Sequence, residues 1–275
     1  MSAQRMCVIS LGVNSPSPPD HPNPSFQDFS RGLTRIRENL LKFNFRGDFI
    51  SWDQHYPEGS PAQQEAHGAY KPFCFYEVQQ RGYQLILWVD ASIKIRQPLE
   101  PLFGLIKQDG YLMFQESHSV GAYCKDEALE PLGITREESF ELPSCWSCVL
   151  GLDLSNHRSA EFLRQWKERA LDGITFPGPK WSGVKGWPRT ASQDPRVYGH
   201  RYDQTVASVI AVKLGMDAWK SKEYFSEFFT NEREYVRKYQ EYKNDTVLKQ
   251  TWRSGKELLL KVVYILIRIF KERRI

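Results

Sequence analysis

The first ninety residues alternate between strand-length and helix-length segments, and this order constrains the fold more than any other feature. Residues 6–13, 48–52 and 84–90 are short apolar runs. Between them, residues 28–43 carry apolar side chains at helical spacing, and residues 71–81 have a proline where the first turn of a helix belongs. The order strand, helix, strand, helix, strand is typical of α/β proteins.

The run at 84–90 is apolar on both faces, as strands buried in mixed or parallel sheets are. We therefore predict an α/β fold with a mixed, mostly parallel central sheet flanked by helices. Later segments extend the pattern, with strands at 111–114, 147–154 and 216–219 and helices at 156–173 and 203–214. The loop at 176–199 is long for a connection, and such loops commonly line sites or form lids.

The chain divides into a main domain over residues 1–220 and a helical C-terminal extension over 221–275. The last twenty residues, 256–275, are apolar with six Lys or Arg against two Glu. They are too short and too charged to span a bilayer comfortably, so we expect a basic helix on an anionic membrane surface or on a partner. The alternative is a helix that packs on its own domain.

The net charge of +4 resides in this tail, so the rest of the chain is close to neutral, which argues against nucleic-acid binding. Five cysteines lack the spacing of a disulfide framework, and the N-terminus lacks the layout of a signal peptide, so we expect a cytoplasmic protein. Cys145 and Cys148 have no second pair at zinc-site spacing and are interpreted as buried small residues. No phosphate-binding glycine motif of kinases or dehydrogenases is present.

Three residues have patterns that suggest chemistry. Asp90 ends a predicted strand, and ligands of α/β sheets bind at the carboxyl ends of strands. A carboxylate at this position can hold a divalent cation. The ordinary alternative is an Asp that forms a turn. Lys71, near a helix start, is either a phosphate or sugar ligand or a solvated lysine. Asp203 is either a helix cap or a residue that handles an acceptor hydroxyl.

Three stretches together resemble the GT-A-fold nucleotide-sugar glycosyltransferases: YKPFCFYEVQQRGYQLILWVDASIKIRQPLEPLF, PSCWSCVLGLDLSN and GHRYDQTVASVIAVKLGM. With the N-terminal VISLGV strand, the resemblance covers roughly residues 6 to 220 in the expected order. It implies a GT-A-like, Rossmann-like sheet. It also implies transfer of a sugar from a nucleoside diphosphate sugar to a glycan or lipid-linked acceptor, with the diphosphate at the Asp90 strand end.

The chain departs from that family at its Asp-x-Asp motif, where it has Asp90-Ala91-Ser92. One interpretation keeps a Mn²⁺ or Mg²⁺ ion on Asp90, with Ser92 or a water as the second ligand and a distant His or Asp, His200 being the candidate, as a further partner. The other requires no metal and neutralises the leaving nucleotide with Lys or Arg. A neutral hydroxyl is a poorer ligand than a carboxylate, yet the interpretation with a metal is the one we carry forward.

The resemblance also places Asp203 and Gln204 at the acceptor side, with Asp203 as orienting group or general base. The candidates for binding the nucleotide sugar are Lys71, Asp90, Ser92, Arg196 and Arg201. The two arginines are included because guanidinium groups pair with phosphate bidentately, with surface charges as the equal alternative. The alternative function is a non-catalytic sugar-nucleotide or glycan-binding module with the same fold, which the loss of the second acid favours.

Overall fold

A computed structural model describes residues 5–13, 29–184 and 186–232 of the chain. Its strands are β1 (Met6–Leu11), β2 (Asp48–Trp52), β3 (Leu85–Val89), β4 (Ile93–Ile95), β5 (Tyr111–Leu112), β6 (Gln115–Ser119), β7 (Pro143–Cys145), β8 (Val149–Asp153) and β9 (Phe229–Asn231). Its helices are α1 (Ser30–Lys42), α2 (Tyr70–Gln80), α3 (Glu100–Asp109), α4 (Asp126–Leu132), α5 (Arg136–Glu141), α6 (His157–Ala170), α7 (Tyr202–Lys213) and α8 (Lys222–Phe228), with a 3₁₀ turn at Gly121–Tyr123.

The central sheet has five strands in the order β2-β1-β3-β8-β5. Strand β1 pairs in parallel with both β2 and β3, whereas β8 runs antiparallel to β3 and to β5. Four strands therefore point the same way and β8 alone is reversed. The predicted mixed, mostly parallel α/β fold is confirmed.

Helices cover both faces of this sheet, which explains why β3 is apolar at every position. Ile86 and Trp88 lie in one core with α2, α6 and α7. Leu85, Leu87 and Val89 point to the opposite face and pack with α1 and α3. Successive strand residues alternate between faces, so a strand covered on both sides needs apolar residues throughout.

The predicted strand at 216–219 is wrong. The Met216 amide donates to the Ala211 carbonyl at 2.8 Å, and the Ala218 amide donates to the Tyr111 hydroxyl at 3.0 Å. These donors are engaged by a helix end and a side chain, so they are not available to a neighbouring strand. Only the next residue, Lys220, forms an isolated parallel bridge, with Phe114.

Residues 221–232, which the sequence analysis assigns to the C-terminal extension, pack with the main body. Strand β9 pairs antiparallel with β4, and Phe225 and Phe229 contact the ring of Phe114 at centroid distances of 5.2 and 6.1 Å. The predicted basic helix at 256–275 lies outside the described residues. Among the residues that are described, no helix has the length and apolar character needed to cross a bilayer.

Candidate active site

A cleft of about 510 Å³ opens at the carboxyl end of β3. Its wall is built by the start of α2, the residue after β3, the turn before β8, the start of α7 and the β9 region. The charged residues that line it are Lys71, Asp90, Arg96, Glu116, Lys180, Arg201 and Asp203. Convergence of several elements at the end of a sheet is where α/β proteins place ligands.

Lys71 lies at the centre of an oxygen cluster in this cleft. Its Nζ is 2.7 Å from Asp203 Oδ2 and 3.1 Å from Asp90 Oδ1. It also donates to the Ser147 carbonyl at 2.9 Å and approaches the Ser147 hydroxyl at 3.5 Å. Three oxygens thus lie within 3.1 Å of an ammonium that has three N–H groups. Lys71 lines the cleft and is already surrounded by protein oxygens, so it is not a solvated lysine, and its role towards a phosphate or sugar stays a prediction.

Two helix starts bring these charges together. Lys71 is in the first turn of α2 and Asp203 is in the first turn of α7. A helix N-terminus carries a partial positive charge, so it suits the Asp203 carboxylate and opposes a lone ammonium. The two carboxylates compensate Lys71 for this unfavourable position, which explains why a lysine with 5% side-chain exposure is tolerated.

Electrostatics keep Lys71 protonated. Burial by itself would lower the pKa of the Lys71 ammonium, but the neighbouring carboxylates of Asp203 and Asp90 outweigh it and raise the pKa above its usual value. A lysine that holds its proton cannot act as a general base. Its chemical contribution is a fixed positive charge that positions two carboxylates.

The Asp90 carboxylate is fixed from a second direction. The indole Nε1 of Trp88 donates to Asp90 Oδ1 at 2.7 Å, and the Asp90 amide donates to the Cys148 carbonyl at 2.8 Å. Trp88 and Asp90 are two residues apart along an extended segment, so they share a face of the sheet. That spacing is the sequence signal that could have identified Trp88, which the sequence analysis missed.

Gly68 is the second residue that the sequence analysis missed. Its φ is +78°, and a Cβ at this position would lie 2.5 Å from Asp203 Cγ. The glycine therefore allows the chain before α2 to pass directly against the Asp203 side chain. Ser147 was missed as well, because its contact depends on β8 entering the sheet antiparallel beside β3, which no local pattern indicates.

Arginine side chains provide positive charge on the cleft wall. The Arg201 guanidinium lies over the rings of Tyr123 and Trp181, at 4.4 and 5.1 Å from their centroids. Arg96 donates to the Ser226 carbonyl at 3.0 Å from the opposite wall. Both side chains line the cleft, and guanidinium groups suit recognition of an anionic ligand. Lys180 adds a third positive charge from the long loop.

That long loop behaves as the sequence analysis expects for a site-lining segment, since no helix or strand occurs between α6 and α7 in the described residues and the loop contributes Lys180 to the cleft. Its last part is anchored: the Ser182 hydroxyl accepts from the amides of Thr190 and Ala191 at 2.8 and 2.9 Å.

The structure does not bring the three predicted metal ligands together. Ser92 is 5% exposed and does not line the cleft. His200 is fully buried, its Nε2 donates to the Thr175 carbonyl at 2.8 Å, and its Nδ1 accepts from the Lys125 amide at 3.4 Å. Burial lowers the pKa of His200 to about 4. A carbonyl can only accept and an amide only donate, so these contacts require a neutral ring with both nitrogens engaged.

These observations do not fit a resident divalent cation. Asp90 offers one carboxylate that already contacts Trp88 and Lys71. Over the described parts of the chain, no group of three His, Cys, Asp or Glu side chains lies close enough together to hold a metal ion. Hard cations require about six or more oxygen ligands in most protein sites.

The remaining candidates divide between cleft and surface. Gln204 lines the cleft, and its amide donates to the Ser144 hydroxyl at 3.1 Å. Arg196 lies outside the cleft, where it pairs with Glu137 and Asp194 at 2.7 and 2.6 Å. Those two carboxylates occupy its guanidinium group, so the structure places Arg196 with surface ion pairs rather than with a ligand.

The five cysteines are all free. Burial raises the pKa of the Cys145 thiol to about 12, and this thiol accepts a hydrogen bond from the Ser208 hydroxyl at 3.4 Å. Cys148 borders the cleft. A thiol with so high a pKa is a poor nucleophile and a poor metal ligand, in keeping with the packing role expected for Cys145.

Comparison with known proteins finds similarity in structure only. No family model matches the chain, and no curated protein matches it. Among solved structures, a glycosyltransferase involved in glycosylating the major capsid of PBCV-1 is similar at 12% identity and a TM-score of 0.36, over 61% of this chain and 68% of that one. Mouse xyloside xylosyltransferase 1 is similar at 10% identity and a TM-score of 0.36, over 79% and 84%.

The galactosyltransferase LgtC, solved with donor and acceptor sugar analogs, is similar at 11% identity and a TM-score of 0.29, over 81% of this chain and all of that one. All three of these neighbours are glycosyltransferases.

Proposed function

We propose that the protein is a glycosyltransferase that moves a sugar from a nucleoside diphosphate sugar to a glycan or lipid-linked acceptor. The observation that carries the proposal is the buried Asp90–Lys71–Asp203 cluster at the floor of a cleft whose walls bear arginines. Carboxylates and cations held in one cleft suit a reaction in which a sugar hydroxyl is deprotonated and an anionic group departs.

In the proposed reaction, the bond between the anomeric carbon and the diphosphate oxygen breaks, and its electron pair leaves with the nucleoside diphosphate. The acceptor oxygen forms the new bond to the anomeric carbon and gives its proton to Asp203 or to water. Arg96 and Arg201 are the groups we assign to the leaving diphosphate, because both line the cleft and both remain charged at any physiological pH.

The positions of the carboxylates support this division of roles. Asp203, at the start of α7, is assigned to the acceptor side together with Gln204, as the resemblance implies. Asp90, held by Trp88 and Lys71, is assigned to the donor side at the strand end. Alignment of donor and acceptor in a preorganised pocket supplies a large part of the rate enhancement in such transfers.

An assay with a panel of nucleoside diphosphate sugars tests the proposal. The protein is incubated with each donor, with and without a mixture of glycan acceptors, and released nucleoside diphosphate is measured. We expect release with at least one donor, and a loss of about 10²-fold or more in the Asp203→Asn variant, as for removal of a general base. A Lys107→Met variant on the exposed face of α3 should keep the full rate.

A binding module without catalysis is the second candidate, and two observations favour it: Ser92 stands where the motif has its second acid, and Lys71 already engages both carboxylates. Calorimetry with UDP and GDP separates the two functions. Binding without turnover on any donor and acceptor would support the module. Absence of binding by UDP and by GDP would contradict a transferase and a sugar-nucleotide-binding module that use these nucleotides, and would leave a glycan-binding module as the surviving alternative.

A further inference from the structure

We propose that the Lys71 ammonium is a built-in cation that takes the place of a divalent metal ion between Asp90 and Asp203. The inference deepens the proposed function and rests on it, because it makes sugar transfer at this cleft independent of added metal. It also makes a claim about the protein alone, namely that the wild-type cluster does not bind a divalent cation.

The ligands around Lys71 Nζ are those of a cation site. They are two carboxylate oxygens at 2.7 and 3.1 Å, a backbone carbonyl at 2.9 Å and a hydroxyl at 3.5 Å. Carboxylate, carbonyl and hydroxyl oxygens are the ligands that Mg²⁺, Ca²⁺ and Mn²⁺ take in proteins. The carboxylate and carbonyl distances lie in the N···O range of ammonium contacts and are longer than metal–oxygen bonds, whereas the hydroxyl at 3.5 Å is a more distant neighbour.

Charge accounts for the choice of an ammonium. Two carboxylates and one ammonium leave one negative charge, and the partial positive charges at the starts of α2 and α7 offset most of it. A divalent ion added beside Asp90 would meet an ammonium that already lies 3.1 Å from the same carboxylate. Repulsion between like charges at such short range in a buried site is strong, so the lysine excludes the metal.

The lysine also explains the departure from the Asp-x-Asp pattern. A tethered ammonium needs fewer oxygen ligands than a divalent ion, because it has three N–H groups rather than about six or more coordination positions. The second acid of the motif is then unnecessary, and Ser92 can lie buried outside the cleft. Neutralisation of the diphosphate is left to the arginines of the cleft wall.

The decisive experiment is Mn²⁺ binding to the protein without nucleotide, measured by electron paramagnetic resonance of free Mn²⁺. Wild-type protein and the control Lys107→Ala should show no site assignable to the cleft. Removing the ammonium with Lys71→Ala should create one Mn²⁺ site, with affinity at least about tenfold above that of wild type. The double variant Lys71→Ala with Asp90→Asn should lose that site.

A wild-type Mn²⁺ site that disappears in Asp90→Asn would overturn the inference, and so would a folded Lys71→Ala variant that binds no Mn²⁺. If Lys71→Ala does not fold, the wild-type and Asp90→Asn measurements still decide the matter. Thermal unfolding of Lys71→Gln with and without Mn²⁺ gives a second readout, with stabilisation by Mn²⁺ expected only in the variant.

Calorimetry measures whether nucleotide binding requires a metal ion. UDP and GDP are each titrated into the protein, first in chelator and then in Mn²⁺. We expect wild-type nucleotide affinity to change less than about twofold between the two conditions. A gain of about tenfold or more in Mn²⁺ would contradict the built-in cation while leaving the transferase proposal intact. Absence of nucleotide binding in both conditions would contradict the transferase proposal, and the Mn²⁺ measurement on the protein alone would still test Lys71.

Discussion

The Lys71 ammonium and the Asp203 carboxylate form an ion pair of 2.7 Å in which both side chains are more than nine-tenths buried. This pair joins the first turn of α2 to the first turn of α7, two helices that pack on the same face of the sheet. The ion pair therefore holds the two helix starts together and also sets the charge at the base of the cleft. As a result, the stability of the fold depends on the same residues as the proposed reaction.

Replacing Lys71 by Met should destabilise the protein strongly. The variant keeps much of the side-chain volume but leaves two carboxylates without their ammonium, and breaking a buried ion pair costs about 3–5 kcal/mol. Urea denaturation measures this change in the free energy of unfolding. The control Lys107→Met, at an exposed position of α3, should change it by less than about 0.5 kcal/mol. Equal effects of the two substitutions would contradict the cluster.

Gly68→Ala should displace Asp203, since the new Cβ would lie 2.5 Å from Asp203 Cγ. Gly82→Ala is a matched control, because Gly82 has a similar φ of +83° and its new methyl group would have nothing within 4 Å. In both variants the free energy of unfolding should fall by about 1–2 kcal/mol, because alanine is strained in the left-handed backbone conformation. Only Gly68→Ala should lose a further 1–3 kcal/mol or so from overpacking, together with most of the transfer activity. Equal stability and activity of the two variants would contradict the close approach.

Arg201→Gln should weaken binding of a nucleoside diphosphate by about tenfold, which corresponds to about 1.4 kcal/mol. The physical reason is loss of a charge-assisted contact from a guanidinium that the rings of Tyr123 and Trp181 hold in place. Calorimetry measures the affinity. Arg196→Gln is the control, because its guanidinium already pairs with Glu137 and Asp194 outside the cleft. A larger loss in the Arg196 variant would reverse our assignment of the two arginines.

Stability should fall as the pH drops from about 6.5 towards 4, in part because of His200. Its pKa in the folded protein is lowered to about 4, below the value of 6.5 of an unperturbed histidine. The unfolded chain therefore binds more protons in this window, and the free energy of unfolding decreases as the pH falls through it. This difference between the folded and unfolded pKa of His200 should lower the free energy of unfolding by about 2–4 kcal/mol over the window.

Chemical denaturation at several pH values checks this sign. A His200→Asn variant should show a shallower decrease between pH 6.5 and 4 than wild type, whatever its stability at neutral pH. His55→Gln, at an exposed position, should leave the slope unchanged. An unaltered slope in His200→Asn would show that this ring is protonated or exposed in the folded protein.

The sequence predicts the first three strands and two helices well, because the spacing of apolar residues and the turn residues within each segment indicate them. The strand predicted at 48–52 matches β2, and the helix predicted at 71–81 differs from α2 by one residue at each end. Strands β6, β7 and β9 were missed, since β6 (QESHS) has no apolar residue and β7 and β9 have only three residues each. The wrong strand at 216–219 has the same cause, because Tyr111 and the end of α7 take up its donors.

The candidate site shows the same limit. Helix starts and a strand end indicate Lys71, Asp90 and Asp203 one at a time, but nothing in their spacing indicates that one ammonium lies between two carboxylates. Ser92 and His200 show the limit from the other side: their motif position suggests ligands, whereas both are buried and neither lines the cleft. Packing of distant segments decides these contacts.

The most direct test of the account is a crystal structure of the protein soaked with Mn²⁺ and either UDP or GDP, with the anomalous signal of manganese recorded. We expect the nucleotide in the cleft with its diphosphate beside Arg201, the Lys71 ammonium between Asp90 and Asp203, and no anomalous peak at Asp90. A nucleotide bound elsewhere, or manganese bridging Asp90 and the diphosphate, would contradict it.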